Sequence, residues 1–270
     1  MIEHEFRILG PLDTFGSEGR VAIKSARIQI LLAMLLMNAN RVVGGERLID
    51  AIWGEAPPDS VTSQLRICVS GLRRQLKLNG SSARIETHPS GYLIRVPDDA
   101  LDLSTFHRMV DRSRRELEGG RIELAAALMR SALGLWRGSL CEGLDSRLLR
   151  SVARKEEEER LLVTEEYFDL QLLLGRHRRI IGELTSFAAE NPFRETPAAQ
   201  LMLALHRSGR QADALDVYRD LRERFSQQLG IDPTESLREL HHLILKGDGV
   251  TAFASSRWAV ANTDMAGVSA

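Results

Sequence analysis

Six basic side chains stand between residues 60 and 95: Arg66, Arg73, Arg74, Lys77, Arg84 and Arg95, against one acid, Glu86. Guanidinium and ammonium groups gathered at this density can neutralise phosphates and release the counterions condensed on a nucleic acid. The signal is local. Residues 1–97 hold 12 Lys and Arg and 9 Asp and Glu, a net +3, while the whole chain has a formal charge of −1. Locality is enough, because phosphate attraction is screened within about 8–10 Å.

Other chemistry finds little support. The chain has no GxSxG, HExxH or GxxxxGK[ST] string, so neither hydrolysis nor nucleotide chemistry is expected and an enzyme is the weaker class. His241 and His242 are adjacent and so face different sides of a helix, whereas a metal pair needs spacing of three or four. His177 and His206 lack partners at ligand spacing, and Cys68 and Cys141 are far apart with no CxxC. No metal, cofactor or disulfide is expected. The run Glu156-Glu157-Glu158-Glu159 reads as a solvated helix face, with a patch for a basic partner as the alternative. The longest apolar run, Ile30 to Met37, is too short to cross a bilayer, and the N-terminus lacks an apolar signal core. A cytoplasmic protein with no membrane partner is expected.

The basic residues need elements to present them. Short strands are expected around Phe6–Leu9, Leu12–Phe15 and Val21–Ile23, separated by Gly and Pro. A helix is expected after Ser25 as N-cap and stops at Asn38-Ala39-Asn40; a second carries Leu48, Ile49, Ile52 and Trp53. The third, about 59–78, is the most informative. Val61, Leu65, Cys68, Val69, Leu72 and Leu76 share one face at helical period, and Ser63, Arg66, Ile67, Ser70, Arg74 and Lys77 share the other. The small serines allow close approach to a groove, and Ile67 offers methyls to a thymine methyl; a solvated amphipathic helix is the plainer reading. Two strands, 85–87 and 92–96, then form a hairpin that carries Arg95, with Arg84 just before it. Three helices and a hairpin make a winged helix-turn-helix, whose wing reaches phosphates or the minor groove.

Beyond Pro97 only helical patterns occur, over about 102–118, 121–136, 144–174, 177–190, 195–207, 211–228 and 234–246. Gly175-Arg176 and Gly209-Arg210 each open a helix and lie 34 residues apart, the tetratricopeptide period. The expected class is mainly α with small β: a winged helix at 1–97, a tetratricopeptide-like all-α domain at 98–246, and a flexible tail or linker at 247–270.

The chain resembles the Streptomyces antibiotic regulatory protein family, activators of secondary-metabolite genes. The resemblance rests on Phe6-Arg7-Ile8-Leu9-Gly10-Pro11, Arg47-Leu48-Ile49-Asp50-Ala51-Ile52-Trp53-Gly54, Val69-Ser70-Gly71-Leu72-Arg73-Arg74-Gln75-Leu76 and Gly91-Tyr92-Leu93 in the first half. The second half adds Ala132-Leu133-Gly134-Leu135-Trp136-Arg137-Gly138, Asn191-Pro192-Phe193-Arg194-Glu195 and Leu229-Gly230-Ile231-Asp232-Pro233. It implies an OmpR-type winged helix and a bacterial transcriptional activation domain. It also implies binding to direct repeats in duplex DNA as a side-by-side, self-associated pair, and recruitment of RNA polymerase holoenzyme through its sigma factor. Gly71 departs from the family, which often has Arg there, so one backbone contact is expected to be missing. A helical-repeat interaction scaffold with an accessory winged helix is the alternative.

Overall fold

A computed structural model describes residues 4–17 and 19–247. The tail expected at 247–270 lies, from 248 onward, outside the described residues. The architecture is the expected one, mainly helical with two small sheets, a winged helix followed by helical repeats. Two compact units emerge, 1–164 and 165 onward, with the division falling inside one long helix.

The first unit opens with an antiparallel meander of β1 (Phe6–Arg7), β2 (Asp13–Gly16) and β3 (Gly19–Val21). Three helices follow: α1 (Ala26–Leu36), α2 (Gly45–Trp53) and α3 (Val61–Leu78). Ser25 does sit at the N-cap of α1 but makes no side-chain cap bond. The run Ile30 to Leu36 is buried on every side, because α1 packs against α2, α3 and the wing. A helix apolar all round belongs in the centre of a core.

The wing is a sheet in the order β4-β6-β5, with β4 (Val43–Gly44), β5 (Arg84–His88) and β6 (Gly91–Arg95). The two-residue β4 escapes a periodicity argument because it is too short to alternate. Its place explains two residues. A Cβ on Gly91 would lie 2.0 Å from the Val43 carbonyl oxygen, so only glycine admits β4 there. Asn40 takes φ 64°, a conformation asparagine tolerates, and its amide brackets Val96: Nδ2 donates to the carbonyl at 3.0 Å and the Val96 N–H donates to Oδ1 at 3.1 Å.

The first compact unit runs on past Pro97. Helices α4 (Asp102–Glu118) and α5 (Ile122–Leu133) and the first part of α6 (Arg147–Leu173) belong to the same compact unit as the winged helix. Asp102 forms the joint. Its buried carboxylate accepts the N–H groups of Ile8 (2.9 Å), Leu9 (3.0 Å) and Leu103 (2.8 Å). Burial pushes its carboxyl above the ordinary value, against the downward pull of these amides and Arg137. The backbone of 8–10 also receives N–H bonds from Arg137, Cys141 and Glu142. The Cys141 thiol, buried beside Asp102, is pushed up to about 12 and stays protonated.

The acidic run on α6 is not a solvated face. Glu156 bonds His107 at 2.7 Å, Glu159 bonds Arg114 at 3.0 Å, and Glu157 accepts the Leu140 N–H at 3.2 Å. The bond from His107 holds the Glu156 carboxyl below its ordinary value. Consecutive helical residues point in different directions, so these carboxylates fasten α6 to α4 and to the loop before it.

The second unit continues from α6 into α7 (His177–Glu190), α8 (Glu195–Arg207), α9 (Gln211–Leu229) and α10 (Glu235–Lys246). The 34-residue echo is a repeated turn. Arg176 N–H donates to the Gln171 carbonyl and Arg210 N–H to that of Leu205, and Gly175 and Gly209 have φ of 68° and 79°. Gly120-Arg121 makes the same turn before α5, with Arg121 N–H on Glu116 and φ 74° at Gly120, off the 34-residue period and so missed by it. A Cβ at 209 meets nothing within 4 Å, so the penalty of substitution there is conformational. Gly209→Val is expected to cost about 1–3 kcal/mol, since a β-branched residue resists positive φ. Thermal unfolding of the full chain should show the loss in the transition of the second unit and leave the first in place; an unchanged melt would contradict the turn's assigned role.

Candidate nucleic-acid interface

The surface with an unexplained charge is the outer face of α3. Leu65, Val69, Leu72 and Leu76 are buried and fix the helix's rotation against the core. Cys68 is half-buried, and burial pushes its thiol up. That rotation leaves Ser63, Arg66, Ile67, Ser70, Arg74 and Lys77 exposed together. Ile67 is 69% exposed, a large apolar group turned fully away from the core. The side chains of Arg66, Arg74 and Lys77 have no hydrogen bond or ion pair among the described residues, so the face carries uncompensated positive charge.

The other three basic residues are tied within the domain. Arg73 Nε donates to the Ile85 carbonyl at 3.0 Å and Nη2 to Thr87 Oγ1 at 2.9 Å, fastening α3 to the wing strand β5. Arg84 Nη1 donates to the carbonyls of Ser81 (2.5 Å) and Ala83 (2.8 Å). Arg95 faces Glu86 across the hairpin at 3.3 Å, with both side chains more than half exposed. Such an exposed pair contributes little and opens easily. The hairpin register decides these partnerships, and composition alone does not reveal it. At the wing's tip, Thr87, His88, Pro89 and Ser90 are exposed, with His88 Nδ1 3.0 Å from Ser90 Oγ. None of these tip residues is a lysine or an arginine, so a search for those two types passes over them.

Gly71 does not lie on the outer face. It is half-buried, and a Cβ there would sit 3.3 Å from Ile28 Cδ1 of α1. Among the described residues no cluster of three or more His, Cys, Asp or Glu is arranged to hold a metal, and no helix is long and apolar enough to cross a membrane.

Residues 101–245 match the family model of the bacterial transcriptional activator domain, and residues 20–94 match that of the transcriptional regulatory protein C-terminal domain. The regulatory protein DnrI of Streptomyces peucetius is 34% identical over 253 residues, covering 90% of this chain and 93% of that protein. The chain belongs to the Streptomyces antibiotic regulatory protein family. As a member it is a transcription regulator, with an OmpR-type winged helix and an activator domain. The regulatory protein AfsR of Streptomyces griseus is 35% identical over 243 residues; this chain spans 24% of its length. The solved structure of Mycobacterium tuberculosis EmbR in complex with a low affinity phosphopeptide superposes with a TM-score of 0.90 at 32% identity, covering 97% of this chain and 70% of that one.

Proposed function

We propose that this family member is a cytoplasmic, non-enzymatic activator that reads duplex DNA with α3 and activates secondary-metabolite biosynthesis genes. The observation that carries the reading is the outer face of α3, where Arg66, Arg74 and Lys77 are unpaired around two serines and an exposed isoleucine. A helix with a thin basic face fits the major groove. Arg66, Arg74 and Lys77 meet phosphates or base edges, and Ile67 packs on a thymine methyl. Arg73 is a positioning residue that holds α3 to the wing; Arg95 reaches the backbone when its weak pair with Glu86 opens, and Arg84 when it releases the Ser81 and Ala83 carbonyls. Family membership supports binding to direct repeats as a self-associated pair and recruitment of RNA polymerase holoenzyme with its sigma factor. DNA reading falls to residues 1–97 and activation to 98–246.

Arg74→Ala and Lys77→Ala test the reading face. Each is expected to weaken duplex binding and to reduce the slope of log affinity against log salt by about one if it meets a phosphate. Both side chains are exposed, so circular dichroism should not change. A folded variant with wild-type affinity would remove its residue from the interface.

A further inference from the structure

We propose that one end of the second unit is a docking surface for an acidic protein segment bearing apolar side chains. Hydrogen bonds bring this end together. Arg207 Nη1 donates to the Leu172 carbonyl at 2.9 Å, joining the last turns of α8 and α6. Gln211 Nε2 donates to the Ile244 carbonyl at 2.7 Å, joining the first turn of α9 to the last turn of α10. Both Gly-Arg turns therefore lie at this end with the end of α10, where Arg178, Arg179, Arg210 and Lys246 are exposed and Arg207 is half-buried.

Two of these cations have internal work. Arg207 satisfies a carbonyl at a helix C-terminus, and Arg210 pairs with Asp213 at 2.5 Å. The side chains of Arg178, Arg179 and Lys246 are exposed and have no hydrogen bond or ion pair among the described residues. Arg178 and Arg179 stand in the first turn of α7, which contains no acid, where a cation opposes the helix dipole. Folding does not ask for them; a local rule broken without compensation points to a partner.

The apolar part selects the partner class. Leu173 is 42% exposed and Leu245 49% exposed, at the ends of α6 and α10 on this same side. A nucleic-acid backbone supplies anions but nothing for two leucines. An acidic segment with apolar side chains satisfies both, and charge complementarity with an apolar anchor is how such contacts gain specificity. The surface lies in a different unit from α3, and the proposal stands without the DNA reading.

The test uses the full chain and three fluorescent probes: an amphipathic Glu/Leu helical peptide, the same peptide with Ser in place of Leu, and a duplex of arbitrary sequence. Wild type is expected to bind the Glu/Leu peptide at low salt and the Ser version more weakly. Arg178→Glu with Arg179→Glu should weaken the Glu/Leu peptide by about tenfold or more and leave duplex affinity unchanged. Arg178→Gln with Arg179→Gln, which removes charge without adding repulsion, serves should the reversal fail to fold, and a smaller loss is expected from it. No binding by wild type, equal binding by wild type and the folded variant, or a loss of duplex affinity in the same proportion would each overturn the proposal.

Discussion

Cutting the chain after Pro97 is expected to unfold the winged helix, and cutting after Thr164 to leave it folded and able to bind duplex DNA. The shorter fragment retains every basic residue of the proposed interface but loses the partners of its own first strand. Phe6, Ile8 and Leu9 are fully buried, β1 packs on α4, and the Ile8 and Leu9 amides end on Asp102. Re-exposing one such side chain costs about 1.5–3 kcal/mol, and stranding a buried amide costs about 1–3 kcal/mol. Even half of the combined loss is comparable with the roughly 5–15 kcal/mol that holds a typical domain together. Circular dichroism and urea unfolding of the two fragments decide it. A cooperative, wild-type-like transition from 1–97 would show that the meander contributes little.

Asp102→Ala is expected to destabilise the first unit by about 3–5 kcal/mol, because three buried N–H groups lose their acceptor together. Water that enters the vacated space sets the lower end of that range. Asp102→Asn keeps one acceptor oxygen and is expected to recover part of the loss. The second unit should melt as in the wild type, since every named partner of Asp102 lies within 1–164. Chemical unfolding monitored at Trp53 and Trp136, both in the first unit, measures the effect. A change below about 1 kcal/mol, the scale of a single ordinary hydrogen bond, would mean that the carboxylate is not the joint described here.

Much of the fold was legible in the sequence. Helices α7 and α8 fall on the spans expected from periodicity and Gly or Pro punctuation, and α3 presents the expected two faces. Local patterns specify local structure. What remained hidden depends on long-range pairing. Asp102 reads as an ordinary acid at a helix start, yet its partners Ile8 and Leu9 lie more than ninety residues earlier. Arg73, Arg84 and Arg95 read as three more free cations, and only the fold shows them bonded to Ile85, Ser81 and Glu86. The glutamate run looked solvated because its partners, His107, Arg114 and Leu140, belong to other elements. The exposed set on α3 was readable because helical period alone decides which side chains its buried leucines turn outward.

The central claim, that the outer face of α3 grips duplex DNA, is tested most directly by the salt dependence of binding. Full-length protein should first select a duplex from a random-sequence pool, and its affinity for that duplex and for an unrelated one should be measured over a range of salt. Three phosphate contacts by Arg66, Arg74 and Lys77 predict a slope of log affinity against log salt of about −3 or steeper, with the selected duplex bound about a thousandfold tighter. A shallow slope with no preference for the selected duplex would contradict the claim.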